Sequence, residues 1–288
     1  MIGSGPLMFM FLNGASVCLL AWGLLPEPSR VRFDWIHWFI AAAPLGLFLA
    51  ITSLGALFVV LRPGAGQARS RDRLDVQLAV LGPLTRREVA MIVVLGLTVA
   101  GWLAGSALKL DVALVAVLGL LGAIATGNFE QRSFRELDWN FLIWYGVALS
   151  IARVATSLGL DRAVGEGVAQ VALVGASPLL FVLALGCVSL LVQLVLSKEQ
   201  GVLVLSLALI PAATALGFDP WVVVAIVLAT SSLWLIPKQT TSYLVAYSAT
   251  DGRLYSHAQA QRVGFAYAGL TLIGLALSVP YWHVLGLL

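Results

Sequence analysis

Three short polar interruptions in an otherwise apolar chain carry residue types that could hold an ion or a small charged molecule. The first is Asn13, Gly14, Ala15 and Ser16, within the stretch FLNGASVCLLA from Phe11 to Ala21. The second is Ser197, Lys198, Glu199 and Gln200, and the third is Pro237, Lys238, Gln239, Thr240, Thr241 and Ser242. Amide and hydroxyl oxygens can coordinate a cation, while an ammonium group or the positive end of a helix attracts an anion. The chemistry on offer is binding, and the chain is read as no enzyme. Cys18 and Cys187 stand alone in apolar segments, without CxxC spacing or histidine partners, and are expected to be small buried residues. His37, His257 and His283 are too scattered to ligate a metal, and Gly3-Ser4-Gly5 follows no strand and is no phosphate loop. No cofactor is expected.

The elements that must position these groups follow from composition. Of 288 residues 60% are hydrophobic and 11% charged, whereas a soluble domain needs about a quarter charged to cover its surface. Mean hydropathy is +0.97. Apolar runs of the roughly 20 residues that cross a bilayer as helix recur along the chain. Val112 to Ala125 and Pro178 to Leu196 show no dyad alternation, which excludes barrel strands. The fold class is all-α, a polytopic transmembrane helical protein. The net charge of +3 implies no nucleic-acid partner, because an arginine excess in a membrane protein first reports orientation.

Spans are expected at Pro6 to Leu25, Trp35 to Leu61, Val89 to Leu108, Val112 to Thr126, Trp139 to Leu158 and Val263 to Leu287. The connection from Arg62 to Glu88 carries Arg62, Arg69, Arg71, Arg73, Arg86 and Arg87, so it is placed in the cytoplasm. Gly159 to Ser177 reads as an amphipathic helix on the membrane surface. The polar tetrad at Ser197, between the apolar runs Pro178 to Ser197 and Gly201 to Leu216, is either a cytoplasmic turn or the tip of a re-entrant hairpin. With a re-entrant tip, and with the Pro237 break inside one discontinuous span, ten basic residues fall inside. Four fall outside: Arg30, Arg32, Lys109 and Arg162. Trp35, Trp38, Trp102, Trp139, Trp144, Trp221 and Trp282 lie near predicted ends and read as an interfacial belt, and Arg153 as a snorkelling anchor.

Leu235 to Val245, LIPKQTTSYLV, resembles Phe11 to Ala21 in kind: an apolar run, a polar break, a resumed apolar run, then a loop and a long span. Two broken helices in corresponding places are the signature of a transporter built from repeats. Almost nothing precedes the first break, so a counterpart of about 130 residues is expected ahead of it.

At these residues the sequence resembles the divalent anion/sodium symporter family of dicarboxylate, citrate and sulfate transporters. Phe11, Leu12, Asn13 and Gly14 match its FLTG-like stretch, and Asp34, Trp35, Trp38, Phe39 and Ala42 to Gly46 its tryptophan-containing span. GPLTRRE, Gly82 to Glu88, is similar to the opening of its second repeat, and Leu137 to Phe141, Gly146 and Ser157 to Leu160 to a later span. The resemblance implies an inverted-repeat transporter with broken helices and a re-entrant hairpin. Residues 1–61 would end a first repeat, 62–87 would form a cytoplasmic linker and 88–288 a second repeat. Its hairpin would cover about 178–216 and its broken helix about 220–249.

The implied function is secondary active transport of small anions in a bacterial-type inner membrane, by a homodimer. Asn13, Gly14, Ala15 and Ser16 would form one half-site, and Ser197, Lys198 and Glu199 with Lys238, Thr240, Thr241 and Ser242 the other. The family's hairpin tips read Ser-Asn-Thr, and of these only Ser197 matches. Lys198 and Glu199 admit three readings: a buried pair fixing the tip, an ammonium standing where relatives bind sodium, or an exposed turn. Sodium at the second site is therefore in doubt. The competing class is a non-transporting membrane subunit or degenerate paralogue.

Overall fold

The structure is a computed structural model that describes residues 5–61, 83–108, 110–127, 135, 139–159, 177–196, 198–232 and 257–288. The basic connection, the amphipathic segment, the third polar interruption and the side chain of Arg153 lie outside the described residues. Every described element is a helix. In chain order they are α1 (Gly5–Met8), α2 (Ser16–Leu24), α3 (Glu27–Arg32), α4 (Trp35–Leu61), α5 (Arg86–Leu108), α6 (Val112–Ala125), α7 (Trp139–Ser157), α8 (Pro178–Gln193), α9 (Lys198–Ala215), α10 (Pro220–Thr230) and α11 (His257–Val284). Two compact units result: Met1–Arg62 with Trp144–Leu288, and Pro63–Ile143.

The helix starts are written in the sequence. Asp111 caps α6 by accepting from the Ala113 and Leu114 amides, Ser177 caps α8 through the Leu180 amide, and Asp219 caps α10 through the Trp221 amide. Pro178 and Pro220 follow two of these caps, where a missing N–H costs nothing. In the GPLTRRE segment Thr85 and Glu88 form a reciprocal capping box: the Thr85 amide donates to the Glu88 carboxylate at 2.6 Å, and the Glu88 amide to Thr85 Oγ1 at 3.3 Å. In the smaller unit α5 and α6 pack together. Gly101 abuts Val115 and Gly122 abuts Val94, so that the missing Cβ atoms let the two helices close up.

Three described helices, Trp35–Val59, Arg86–Gly105 and His257–Val284, are long and apolar enough to cross a membrane. The rest of the larger unit is shorter. Phe181 meets Phe218 with ring centroids 4.8 Å apart, and Gln193 lies against Gly201. These two contacts join base to base and tip to tip, so α8 and α9 form a helical hairpin. Its arms of 16 and 18 residues are about 24 and 27 Å long at 1.5 Å per residue, less than the ~30 Å of a hydrocarbon core.

At the centre lies α10, whose residues from Trp221 to Thr230 are all buried. It is packed by α2, α8, α9 and α11. Around its start, Trp221 stacks on Phe33 and makes edge contacts with Trp38 and Trp282. Trp38, Trp221 and Trp282 are fully buried, which corrects the expectation of an interfacial belt for them: each ring packs edge-to-face or stacked against another rather than against headgroups. Trp139 is exposed. Cys18 is buried as expected, whereas Cys187 is exposed, because α8 turns its other face toward α10 and α11.

One span boundary differs: the last helix starts at His257 rather than at Val263, so Arg262 lies inside α11. Pro6 to Leu25 is broken where expected, α1 stopping at Met8 and α2 beginning at Ser16.

Lipid tails are as apolar as leucine, so helices in a bilayer associate through close packing and hydrogen bonds more than through hydrophobic burial. The α4–α11 pair uses both. Gly274 seats Leu45 and Phe48 of α4. Pro44 has no N–H to give to the carbonyl four residues back, Ile40, and that oxygen accepts the Tyr281 hydroxyl at 2.9 Å instead. The neighbouring Ala41 carbonyl accepts from Trp282 Nε1 at 3.1 Å.

This pairing sets a test by double-mutant cycle. Tyr281→Phe should destabilise the purified protein by about 1 kcal/mol, because it strands a carbonyl. In a Pro44→Ala background, where the helix supplies its own N–H, the same change should be nearly neutral. Detergent-solubilised thermal melts of the four proteins measure the difference, and equal losses in both backgrounds would refute the substitution of hydroxyl for amide.

Candidate functional site

The broken ends meet at one depth. From Asp219, α10 runs 11 residues, about 16 Å at 1.5 Å per residue and so about half a hydrocarbon core. Arg32 bonds the Asp219 carboxylate at 2.9 Å and the Leu285 carbonyl at 3.0 Å, and the Asp219 amide donates to the Leu287 carbonyl at 2.9 Å. The ends of α3, α10 and α11 are thereby tied together on one side of the bundle. The Trp22 indole donates to the Phe33 carbonyl at 3.1 Å, next to Trp221. Hence α2 points its carboxyl end to the same side and runs antiparallel to α10. Its amino end at Ser16 lies at the inner depth where α10 stops.

That inner level also holds the hairpin tip. The buried Gln193, last residue of α8, donates through Nε2 to Thr230 Oγ1 at 2.8 Å and to the Val227 carbonyl at 3.2 Å. The Tyr267 hydroxyl donates to the Ala229 carbonyl at 3.2 Å. Within α10 itself the Ser231 hydroxyl turns back to the Leu228 carbonyl at 2.7 Å. Hydroxyls that bond back in this way compete with continuation of the helix, and α10 stops at Thr230, short of the Ile236 at which the apolar run ends.

Of the expected first half-site, Asn13, Gly14, Ala15 and Ser16 all lie at the break between α1 and α2. Among the described residues the buried Asn13 Oδ1 has no hydrogen-bond partner, so its lone pairs could serve a donor or a cation. A Cβ on Gly14 would overlap the Met8 carbonyl oxygen, so only glycine fits the turn that brings the chain back over α1. Ala15 is extended at the head of α2 and contributes no side-chain cap; its carbonyl accepts the Cys18 amide at 3.0 Å, and the Ser16 and Val17 amides have no side-chain cap from it. Ser16 is exposed.

Of the second half-site, Lys198 and Glu199 are described. Ser197, Lys238, Thr240, Thr241 and Ser242 lie outside the described residues. Of the polar tetrad, Lys198, Glu199 and Gln200 do not form the turn. Lys198, Glu199 and Gln200 are the first turn of α9, and the bend is made by Leu194, Val195 and Leu196. Glu199 complements the positive end of the α9 dipole, but Lys198 stands against it. Among the described residues no contact ion pair joins the two, although they are electrostatically coupled. The partly buried Lys198 also lies within electrostatic range of Cys18, in the first turn of α2, and α2 packs on α9. Two helix amino ends and a lysine thus share one neighbourhood, an arrangement that attracts an anion.

Sequence reasoning passed over Gln193, Thr230 and Tyr267. A lone amide in the middle of the apolar run LLVQLVL was the available signal for the first.

Long apolar helices, a helical hairpin with arms shorter than a hydrocarbon core and a first segment broken between α1 and α2 define a helical integral membrane protein. The chain belongs to the family described as the sodium:sulfate symporter transmembrane region, which matches residues 6–288. Among similar proteins, the chloroplastic dicarboxylate transporter 1 of Spinacia oleracea is 29% identical over 165 residues, 56% of this chain and 29% of the relative. The inner membrane protein YbhI of Escherichia coli is 22% identical over 152 residues, 52% of this chain and 32% of the relative. The putative malate transporter YflS of Bacillus subtilis is 23% identical over 154 residues, with the same two shares of 52% and 32%. The chain spans about a third of the length of these relatives.

The tight turn at Gly14 yields a stability test. Gly14→Ala forces the Met8 backbone to move and should cost about 1–3 kcal/mol, whereas Ser16→Ala, at an exposed position, should stay within about 0.5 kcal/mol of the parent. Thermal melts of the two variants check the order.

Proposed function

We propose that the chain carries out secondary active transport of small anions of the dicarboxylate, citrate or sulfate class, as part of a bilayer-embedded machine in a bacterial-type inner membrane. The observation that carries this reading is the placement of Lys198 at two helix amino ends, next to the break at Asn13 to Ser16. A cation at the positive end of a dipole is locally unfavourable, and a bound anion relieves it. The names of the relatives, a dicarboxylate transporter and a putative malate transporter, support the same substrate class. Ser197, Lys238, Thr240, Thr241 and Ser242 complete the site in this reading, and a homodimer is the assembly that the family resemblance favours.

The hairpin is read as re-entrant, since both of its arms are shorter than the hydrocarbon core. With the distribution of basic residues, this places Arg32, Asp219 and Leu287 on the outer side and the connection 62–87 in the cytoplasm. A cysteine at Ser70, in an otherwise cysteine-free variant, should stay unlabelled by an impermeant maleimide in intact cells and react after lysis. Labelling from outside would invert the topology.

Sodium at the second site does not suit this geometry. An ammonium about 4 Å from a sodium ion is repelled by ~4 kcal/mol at an effective dielectric of ~20. Succinate or sulfate uptake into proteoliposomes should therefore show little or no dependence on sodium, and Lys198→Asn with Glu199→Thr should increase that dependence. A steep sodium dependence unmoved by the double substitution would show that Lys198 stands apart from the ion site. Failure of the chain to move or bind either anion would refute the transport reading.

A further inference from the structure

We propose that Gln193 is a positioning residue of the anion site, one that fixes where α10 breaks off opposite the hairpin tip; the proposal rests on the transport reading above. Gln193 touches all three elements that meet there. It ends α8, its stem lies on Gly201 one turn beyond Lys198, and its amide N–H groups reach Thr230 Oγ1 at 2.8 Å and the Val227 carbonyl at 3.2 Å. A Cβ at position 201 would sit 3.0 Å from Gln193 Cγ, so the glycine makes room for this side chain.

The bond to Thr230 settles what that hydroxyl does. Its single proton goes to the Ile226 or Val227 carbonyl, at 2.9 and 3.0 Å, while its lone pair receives from Gln193. The helix is closed at that point by side-chain bonds, although the apolar run continues to Ile236. A buried amide among apolar neighbours costs free energy unless its groups are bonded. Leucine would fill the same volume without that cost, so packing alone gives no reason for glutamine here. The amide makes sense as a strap from the end of α8 to the end of α10, with its stem seated on Gly201 of α9, the helix that carries Lys198. Removing it frees the end of α10 to shift relative to Lys198, which alters the anion site while the bundle stays packed.

The test uses the purified full-length chain in detergent, with succinate and sulfate as probes, and reads the anion concentration that gives half of the maximal thermal shift. Amide hydrogen exchange over residues 227–232 is read in parallel. Gln193→Leu keeps the volume, and Thr230→Val keeps the shape while removing the acceptor. Each should raise the half-maximal concentration about tenfold and speed exchange at Ser231 and Ser232. The double variant should be no worse than either single one, because both remove the same interaction. Thr230→Ser, which keeps the hydroxyl, should bind as the parent does, and Gly201→Ala, which displaces Gln193, should weaken binding. If Gln193→Leu does not fold, Thr230→Val and Gly201→Ala decide the matter.

Lower melting temperatures with unchanged half-maximal concentrations would overturn the proposal and leave Gln193 a structural residue only, and so would losses that add independently in the double variant. A parent protein that responds to neither anion would overturn the transport reading first, and this proposal with it.

Discussion

The larger unit depends on the burial of one short helix. α10 is enclosed from Trp221 to Thr230, yet it is about half as long as a membrane span, so it must begin at the surface and end inside the bundle. A helix end inside a membrane leaves carbonyls that cannot reach water, and each needs a donor from the protein. Gln193, Ser231 and Tyr267 supply donors to three successive carbonyls, from Val227 to Ala229. The hairpin, the long last helix and the broken helix are held at one level by this requirement, which also fixes the level at which a substrate could be met.

The opposite end of α10 is governed by the same rule with the charges reversed. Asp219 accepts the first free amide of the helix and the guanidinium of Arg32, while Arg32 also satisfies the Leu285 carbonyl. The Arg32 side chain is about half exposed, so the ion pair itself adds little to stability. Its value is geometric: it brings the first broken segment, the start of α10 and the end of α11 to a common origin, from which α2 and α10 run antiparallel. Pro44 works in a similar manner. By withholding one N–H it opens a carbonyl that only a partner helix can fill, and Tyr281 does so.

Most of the chain follows local rules, with acidic or hydroxyl caps at helix starts and glycines at close crossings. Lys198 breaks them, since it sits at the positive end of α9 and beside the positive end of α2. Departures from local preference of this kind concentrate at functional positions. The same is true of Gly14, where the backbone folds back so closely that any side chain would collide with the Met8 carbonyl.

The sequence by itself determined the class, the long spans and the first break. Those depend on runs of apolar residues and on side chains acting within one turn, so Trp35 to Leu61 was readable to the residue and the break at Asn13 to within a few. It also marked Lys198 as out of place in an apolar region. What it did not determine was where the helices stop inside the protein or which tryptophans face inward. Thr230, Ser231 and Ser232 are the only local stop signals before Ile236, and hydroxyls that bond back in the same way stand inside the continuous α11 at Thr271 and Ser278. What distinguishes α10 is the bond that Gln193 brings from another helix. The polar residues Lys198 to Gln200 looked like a turn, but the turn fell on Leu194 to Leu196, because Gln193 is held to α10 and the chain must reverse directly after it. Trp38, Trp221 and Trp282 resembled interfacial anchors by position along their helices. Only tertiary packing decides which face of a helix meets lipid, and in a membrane the apolar character of both faces hides that choice from the sequence.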